Sequence, residues 1–208
     1  MTVAVINTGL CNIDSIARAL EHCGAHTVVT DDPRHLSPAT RIVLPGVGAF
    51  PAAMSRLHET GLVDALHDAV IERGIPVLGI CLGMQLMLTR GEEGGGCDGL
   101  GWIAGCVERI RPDAGERIPH VGWNTVEFES GSPVFEEVEP ATDFYFVHSY
   151  HAVPVDSSVV AGTTPFAGGI VTAVQAGHMW GVQFHPEKSQ SAGFAVLASF
   201  LRQTALSC

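Results

Sequence analysis

The chain has 208 residues, of which 46% are apolar and 16% charged, and its formal net charge is −11 at pH 7. A charged share well under the average of about 25%, beside so large an apolar share, argues for a sizeable buried core and against disorder. The acidic balance and the lack of any Lys/Arg run argue against nucleic acid as a partner.

In chain order, residues 1–7 lack the basic and long apolar regions of a secretory signal. Residues 3–6 read as a fully buried strand, and a helix follows with Ile13, Ile16, Ala17 and Leu20 on one face and Gly24 as its stop. Residues 27–30 and 41–44 are the next strands, the second running into Pro45-Gly46-Val47-Gly48. Helical patterns cover 52–59 and 62–73, then a wholly apolar strand at 76–80 passes directly into a helix at 82–89. The apolar stretch 74–88 contains Pro76 and Gln85 and is shorter than the ~20 residues a membrane helix needs. A cytoplasmic protein is expected.

Past a glycine-rich loop at 91–101 the pattern changes to strands at 107–110, 123–128, 144–147, 159–163, 170–175 and 179–184. Ala176-Gly177-His178 gives a hairpin signal between the last two, and a closing helix spans 192–206, with Phe194, Leu197, Phe200 and Leu201 on its inner face. Alternating strands and helices in the first half imply a parallel sheet, so the expectation is one α/β domain over 1–208 with an antiparallel extension. Six cysteines without a C-x-x-C pair suggest neither a zinc site nor a disulfide framework. His22 and His26 flank Cys23, but Gly24 ends the helix and breaks up that face. His148 and His151 read as hydrogen-bonding loop residues.

The chemistry centres on Gly79-Ile80-Cys81-Leu82-Gly83, at the junction of a buried strand and a helix. Small residues two places either side of a nucleophile permit a sharp turn that presents it at a helix N-terminus, where free amides favour the thiolate. In Gly181-Val182-Gln183-Phe184-His185-Pro186-Glu187, an extended backbone would point His185 and Glu187 to the same side. A carboxylate beside an imidazole orients it as a base for the thiol, giving a Cys81-His185-Glu187 triad. Pro45-Gly46-Val47-Gly48 offers unhindered amides as a second wall of an oxyanion hole.

These segments, with Pro119-His120-Val121-Gly122-Trp123-Asn124 and Tyr145-Phe146-Val147-His148-Ser149-Tyr150, resemble the class I (triad) glutamine amidotransferases over nearly the whole chain. More narrowly, they look like the glutaminase subunits of imidazole glycerol phosphate synthases. The resemblance implies a flavodoxin-like fold, mostly parallel with helices on both faces, and no cofactor. It implies that Cys81 attacks L-glutamine, with His185 shuttling the proton and Glu187 orienting it. The amides of Val47 and Leu82 would hold the oxyanion, and Gly48, Gln85, Ser149 and Tyr150 would bind glutamine. The implied partner is a (β/α)₈-barrel cyclase subunit in a heterodimer, touched by Asn12, Tyr145 and Lys188. Cys11 stands where the family usually has glycine. The alternatives are a glutaminase subunit of another synthase, such as that for pyridoxal phosphate, and a non-catalytic flavodoxin-like module.

Overall fold

A computed structural model describes residues 1–9, 13–129 and 131–204. The first half is a run of parallel strands joined by helices: β1 Thr2–Ile6, α1 Ile13–His22, β2 His26–Thr30, β3 Arg41–Gly46, α2 Phe50–Glu59, α3 Leu62–His67, β4 Val77–Cys81 and α4 Leu82–Leu86. Short strands β5 Leu88–Gly91 and β6 Cys97–Asp98 lead into β7 Ile103–Arg109. Then come β8 His120–Phe128, β9 Thr142–His148, β10 Tyr150–Pro154, β11 Val160–Thr164, β12 Ile170–Ala176 and β13 Met179–Val182, and α5 Gln190–Arg202 closes the fold.

The main sheet runs β2-β1-β3-β4-β13-β12-β10-β7-β5-β6. From β2 to β13 every pairing is parallel, and β12, β10 and β7 continue it antiparallel. From β12 the sheet also branches through β11 and β8 to β9. Strand side chains alternate between faces, so one sequence feeds two cores. Ala4, Ile6, Ile42 and Leu44 pack with Phe50 and Leu57 of α2, whereas Val3, Val5 and Val43 pack with Leu20 of α1 and Leu197 and Phe200 of α5. Helices on both faces of a mostly parallel sheet are what the alternation in the first half implied.

Local departures from the sequence reading have physical causes. The helix expected over 82–89 stops at Leu86, because Leu88–Gly91 pairs with β6 and β7 instead. The helix expected over 62–73 is α-helical only to His67 and continues as a π turn, Asp68–Glu72. The expected strand 179–184 ends at Val182, and the chain enters a 3₁₀ turn, Pro186–Lys188, rather than staying extended. Pro186 sits at the start of that turn, where its missing N–H costs nothing. No helix among the described residues is long and apolar enough to cross a membrane.

Candidate active site

The wholly buried strand β4 ends at Cys81, whose backbone takes φ 55°, ψ −109°, a left-sided conformation that side chains rarely adopt. Neighbouring glycines make room for the tight bend. A Cβ on Gly79 would lie 2.7 Å from the Met84 amide nitrogen, one on Gly181 2.4 Å from Met84 Cγ, and one on Gly83 only 1.6 Å from the Leu44 carbonyl oxygen. The helix can therefore press onto β3, β4 and β13 only because these positions carry no side chain. Cys81 forms part of the wall of a cavity of about 280 Å³, together with Val47, Gly48, Leu82 and Gln85. The parallel register sets Pro45 against Ile80 and Gly46 against Cys81, so the Pro45–Gly48 segment leaves β3 beside the bend. Val47 and Gly48 are exposed, and Gly48 has φ +97°.

His185 and Glu187 meet despite the turn at Pro186. The His185 Nδ1–H donates to Glu187 Oε1 at 2.9 Å, and both side chains are almost wholly buried. Burial lowers the pKa of the imidazole, but hydrogen bonding and charge from Cys81 and Glu187 outweigh it and raise the value to about 9. Nδ1 being taken by Glu187, Nε2 is the ring nitrogen left to respond to Cys81. The backbone behind it is tightly held. The His185 N–H donates to the Tyr145 carbonyl at 2.9 Å, while the buried Ser189 hydroxyl donates to the His185 carbonyl at 2.7 Å and accepts from the Tyr145 N–H at 3.0 Å.

Residues 4–204 match the family described as glutamine amidotransferase class-I. The chain belongs to that family. It is 46% identical to the imidazole glycerol phosphate synthase subunit HisH of Moorella thermoacetica, over 95% of this chain and 93% of that one. It is 41% identical to HisH 1 of Campylobacter jejuni, over 96% and 99%. Among solved structures, a glutamine amidotransferase from Thermotoga maritima overlays with a TM-score of 0.69 at 17% identity, covering 97% of this chain and 96% of that one. A further glutamine amidotransferase gives 0.74 at 19%, covering 94% and 98%. These two likenesses support the fold.

In this class-I amidotransferase, a line of amides runs from the pocket wall to the sulfur. Gln85 Nε2 donates to the Tyr150 carbonyl at 3.0 Å and to Gln183 Oε1 at 2.9 Å, and Gln183 Nε2 faces the Cys81 sulfur at 3.5 Å. Gln183 is wholly buried. A glutamine inside an apolar strand run must find partners, and this was the sequence signal for it. Ser149 and Tyr150 are half-buried and line the same cavity, as do His148 and Glu93. No local sequence pattern points to Glu93: it lies in the glycine-rich segment, and its Oε2 accepts the Phe50 N–H at the start of α2 at 2.7 Å. Tyr145 and Lys188 lie together on the surface, the Lys188 ammonium 5.6 Å from the tyrosine ring centre. Asn12 and Cys11 lie outside the described residues. Two larger cavities, about 420 and 500 Å³, are lined by Ser132 and its neighbours; no cysteine or histidine lines either among the described residues.

Proposed function

We propose that this chain is the glutaminase subunit of an imidazole glycerol phosphate synthase, hydrolysing L-glutamine and delivering the ammonia to a cyclase subunit in histidine biosynthesis. The observation that carries the reading is a strained, buried Cys81 at the wall of a pocket of amino-acid size, acting on the proton affinity of an imidazole that a buried carboxylate orients. The relatives over nearly the full chain support the choice of synthase.

The thiol proton passes to His185, and the sulfur attacks the side-chain amide carbon of glutamine. The Leu82 and Val47 amides stabilise the oxyanion. His185, carrying the proton taken from the thiol and held by Glu187, gives that proton to the departing nitrogen. Ammonia leaves, and Cys81 is left as a γ-glutamyl thioester. His185 then takes a proton from water, the hydroxide attacks the thioester carbon, and glutamate leaves as the thiol is restored. Glu187 holds the ring through Nδ1 throughout. Gly48, Gln85, Ser149 and Tyr150 bind the substrate, and Glu93, the carboxylate in the pocket wall, faces its α-ammonium.

The partner is a (β/α)₈-barrel cyclase that takes ammonia at a surface including Asn12, Tyr145 and Lys188. Exposed Val121 and Trp123 on β8 extend that surface, since Trp123 lies opposite Tyr145 in the β8–β9 register. The compartment is the cytoplasm, in keeping with a biosynthetic enzyme and with the free thiols Cys23, Cys81, Cys97 and Cys106. The test is the complex with Cys81→Ala: incorporation of amide ¹⁵N from glutamine into the imidazole product stops, while synthesis from added ammonium ions, which needs no glutaminase, continues. Undiminished transfer from glutamine would refute the reading.

A further inference from the structure

Strand β8 carries two different faces. Val121 and Trp123 point outward, 56% and 49% exposed, while His120 and Asn124, at alternate positions, point inward. His120 stands directly across from His148 in the β8–β9 register, and its ring is stacked between Phe166, at 4.1 Å and 12°, and Phe146, at 4.7 Å and 24°. The two imidazoles touch, Nδ1 of His120 to Nε2 of His148 at 2.9 Å.

The contacts at the two ends give this pair a direction. The Tyr150 carbonyl can only accept, so the His148 nitrogen 2.8 Å from it, Nδ1, carries a hydrogen. The Thr125 N–H donates to Asn124 Oδ1 at 2.9 Å, which turns the Asn124 amide nitrogen toward His120 Nε2 at 3.1 Å. Nε2 of His120 is therefore an acceptor, and Nδ1 is left to donate to His148. Every bond runs one way, Thr125 to Asn124 to His120 to His148 to Tyr150, with both rings neutral and both in the Nδ1–H form. A further proton on either ring would set two hydrogens face to face somewhere along the line. Burial agrees with this and holds His120 at about 4 and His148 at about 3, with Glu116 facing the first ring and His151 and His185 the second.

We propose that His120 and His148 are positioning residues of the glutamine pocket, linking the exposed β8 segment to the Tyr150 carbonyl through a one-way hydrogen-bonded relay. The same carbonyl accepts from Gln85, which holds Gln183 and through it the environment of the Cys81 sulfur. This rests on the glutaminase reading. Loss of the relay releases the Ser149–Tyr150 wall, so it weakens glutamine binding more than it slows chemistry.

The test has two arms. In the first, ¹⁵N-histidine NMR of the whole chain at pH 6 should show two neutral rings in the Nδ1–H form, assigned through His120→Phe and His148→Gln; an Nε2–H form or a cation at either position overturns the relay. The second arm measures glutaminase kinetics in the complex with the cyclase subunit. His120→Phe keeps the stacking but removes the donor, and should raise KM for glutamine about tenfold with kcat within about threefold of wild type. His120→Asn, which restores an N–H near the Nδ1 position, should recover most of that loss. An unchanged KM in His120→Phe, a loss confined to kcat, or no recovery in His120→Asn overturns the positioning role. Ammonia-driven synthesis by the same complexes reports folding and assembly. A wild-type complex that leaves glutamine untouched would instead sink the glutaminase reading, and the NMR arm would still judge the relay.

Discussion

Gly83→Ala is the sharpest test of how the bend at Cys81 is held. The added methyl would lie 1.6 Å from the Leu44 carbonyl oxygen and 2.7 Å from its carbon, whereas a carbon–oxygen contact needs about 3.3 Å. Both neighbours are backbone atoms of β3, so no rotamer change relieves the clash, and α4 must move away from β3 by about 1.7 Å. Overpacking of this kind costs about 3 kcal/mol, which lowers Tm by roughly 6–12 °C in a chain of this size. The same displacement separates Leu82 from the Val47 segment, and errors of about 1 Å cost on the order of a hundredfold in turnover. Gly24→Ala is the control: it has φ +88° with nothing within 4 Å, so it pays only the backbone penalty of about 1–2 kcal/mol and leaves turnover unaltered. Calorimetry with glutaminase assays on the assembled complex decides the matter. A Gly83→Ala protein melting within about 2 °C of wild type with normal turnover would refute the steric reasoning.

The pKa of His185 in the folded chain, about 9, lies above its unfolded value of about 6.5. Its stabilising contribution is therefore complete below pH 6.5 and is lost as pH rises through 9, on the order of 3 kcal/mol; urea unfolding should show this loss in the wild type and a smaller one in Glu187→Gln, where the Cys81 contribution remains, and parallel pH curves would contradict it. Ser189→Ala leaves the Tyr145 N–H without its acceptor and should cost about 1–3 kcal/mol in urea midpoint experiments, with turnover reduced as His185 loosens; unaltered stability would show that the hydroxyl contributes nothing. Glu93→Gln keeps an acceptor for the Phe50 N–H but removes the charge, so KM for glutamine should rise about tenfold with little change in kcat. An unchanged KM would remove Glu93 from the substrate site.

Legibility in the sequence followed the range of the forces involved. The elbow around Cys81 could be read because its requirement is local: glycines two places either side of a nucleophile, between an apolar strand and a helix. The two-sided parallel sheet could be read because wholly apolar strands such as Val3–Ile6 imply cover on both faces. His185 and Glu187 come together as expected but by another route, since Pro186 opens a 3₁₀ turn and the pair meets across that turn rather than along a strand. The helix over 82–89 was overextended because a uniformly apolar run carries no period, and pairing with β6 and β7 then claims its end. β10 is not legible locally because Tyr150-His151-Ala152-Val153-Pro154 has no clean alternation. Glu93 and the His120–His148 contact depend on segments far apart in the chain, one reaching across to α2 and the other set by β8–β9 register. No local pattern announces either.

The hydroxyl of Ser189 makes a mechanical unit of two places that look unrelated. It grips the peptide nitrogen of Tyr145 and the carbonyl of His185 at once, while the His185 nitrogen grips Tyr145 in return. The ring of Tyr145, under the Lys188 ammonium, and the buried His185 imidazole thus hang from one small knot of main chain. A shift of the main chain beneath that aromatic surface is thereby a shift of the main chain that carries the imidazole.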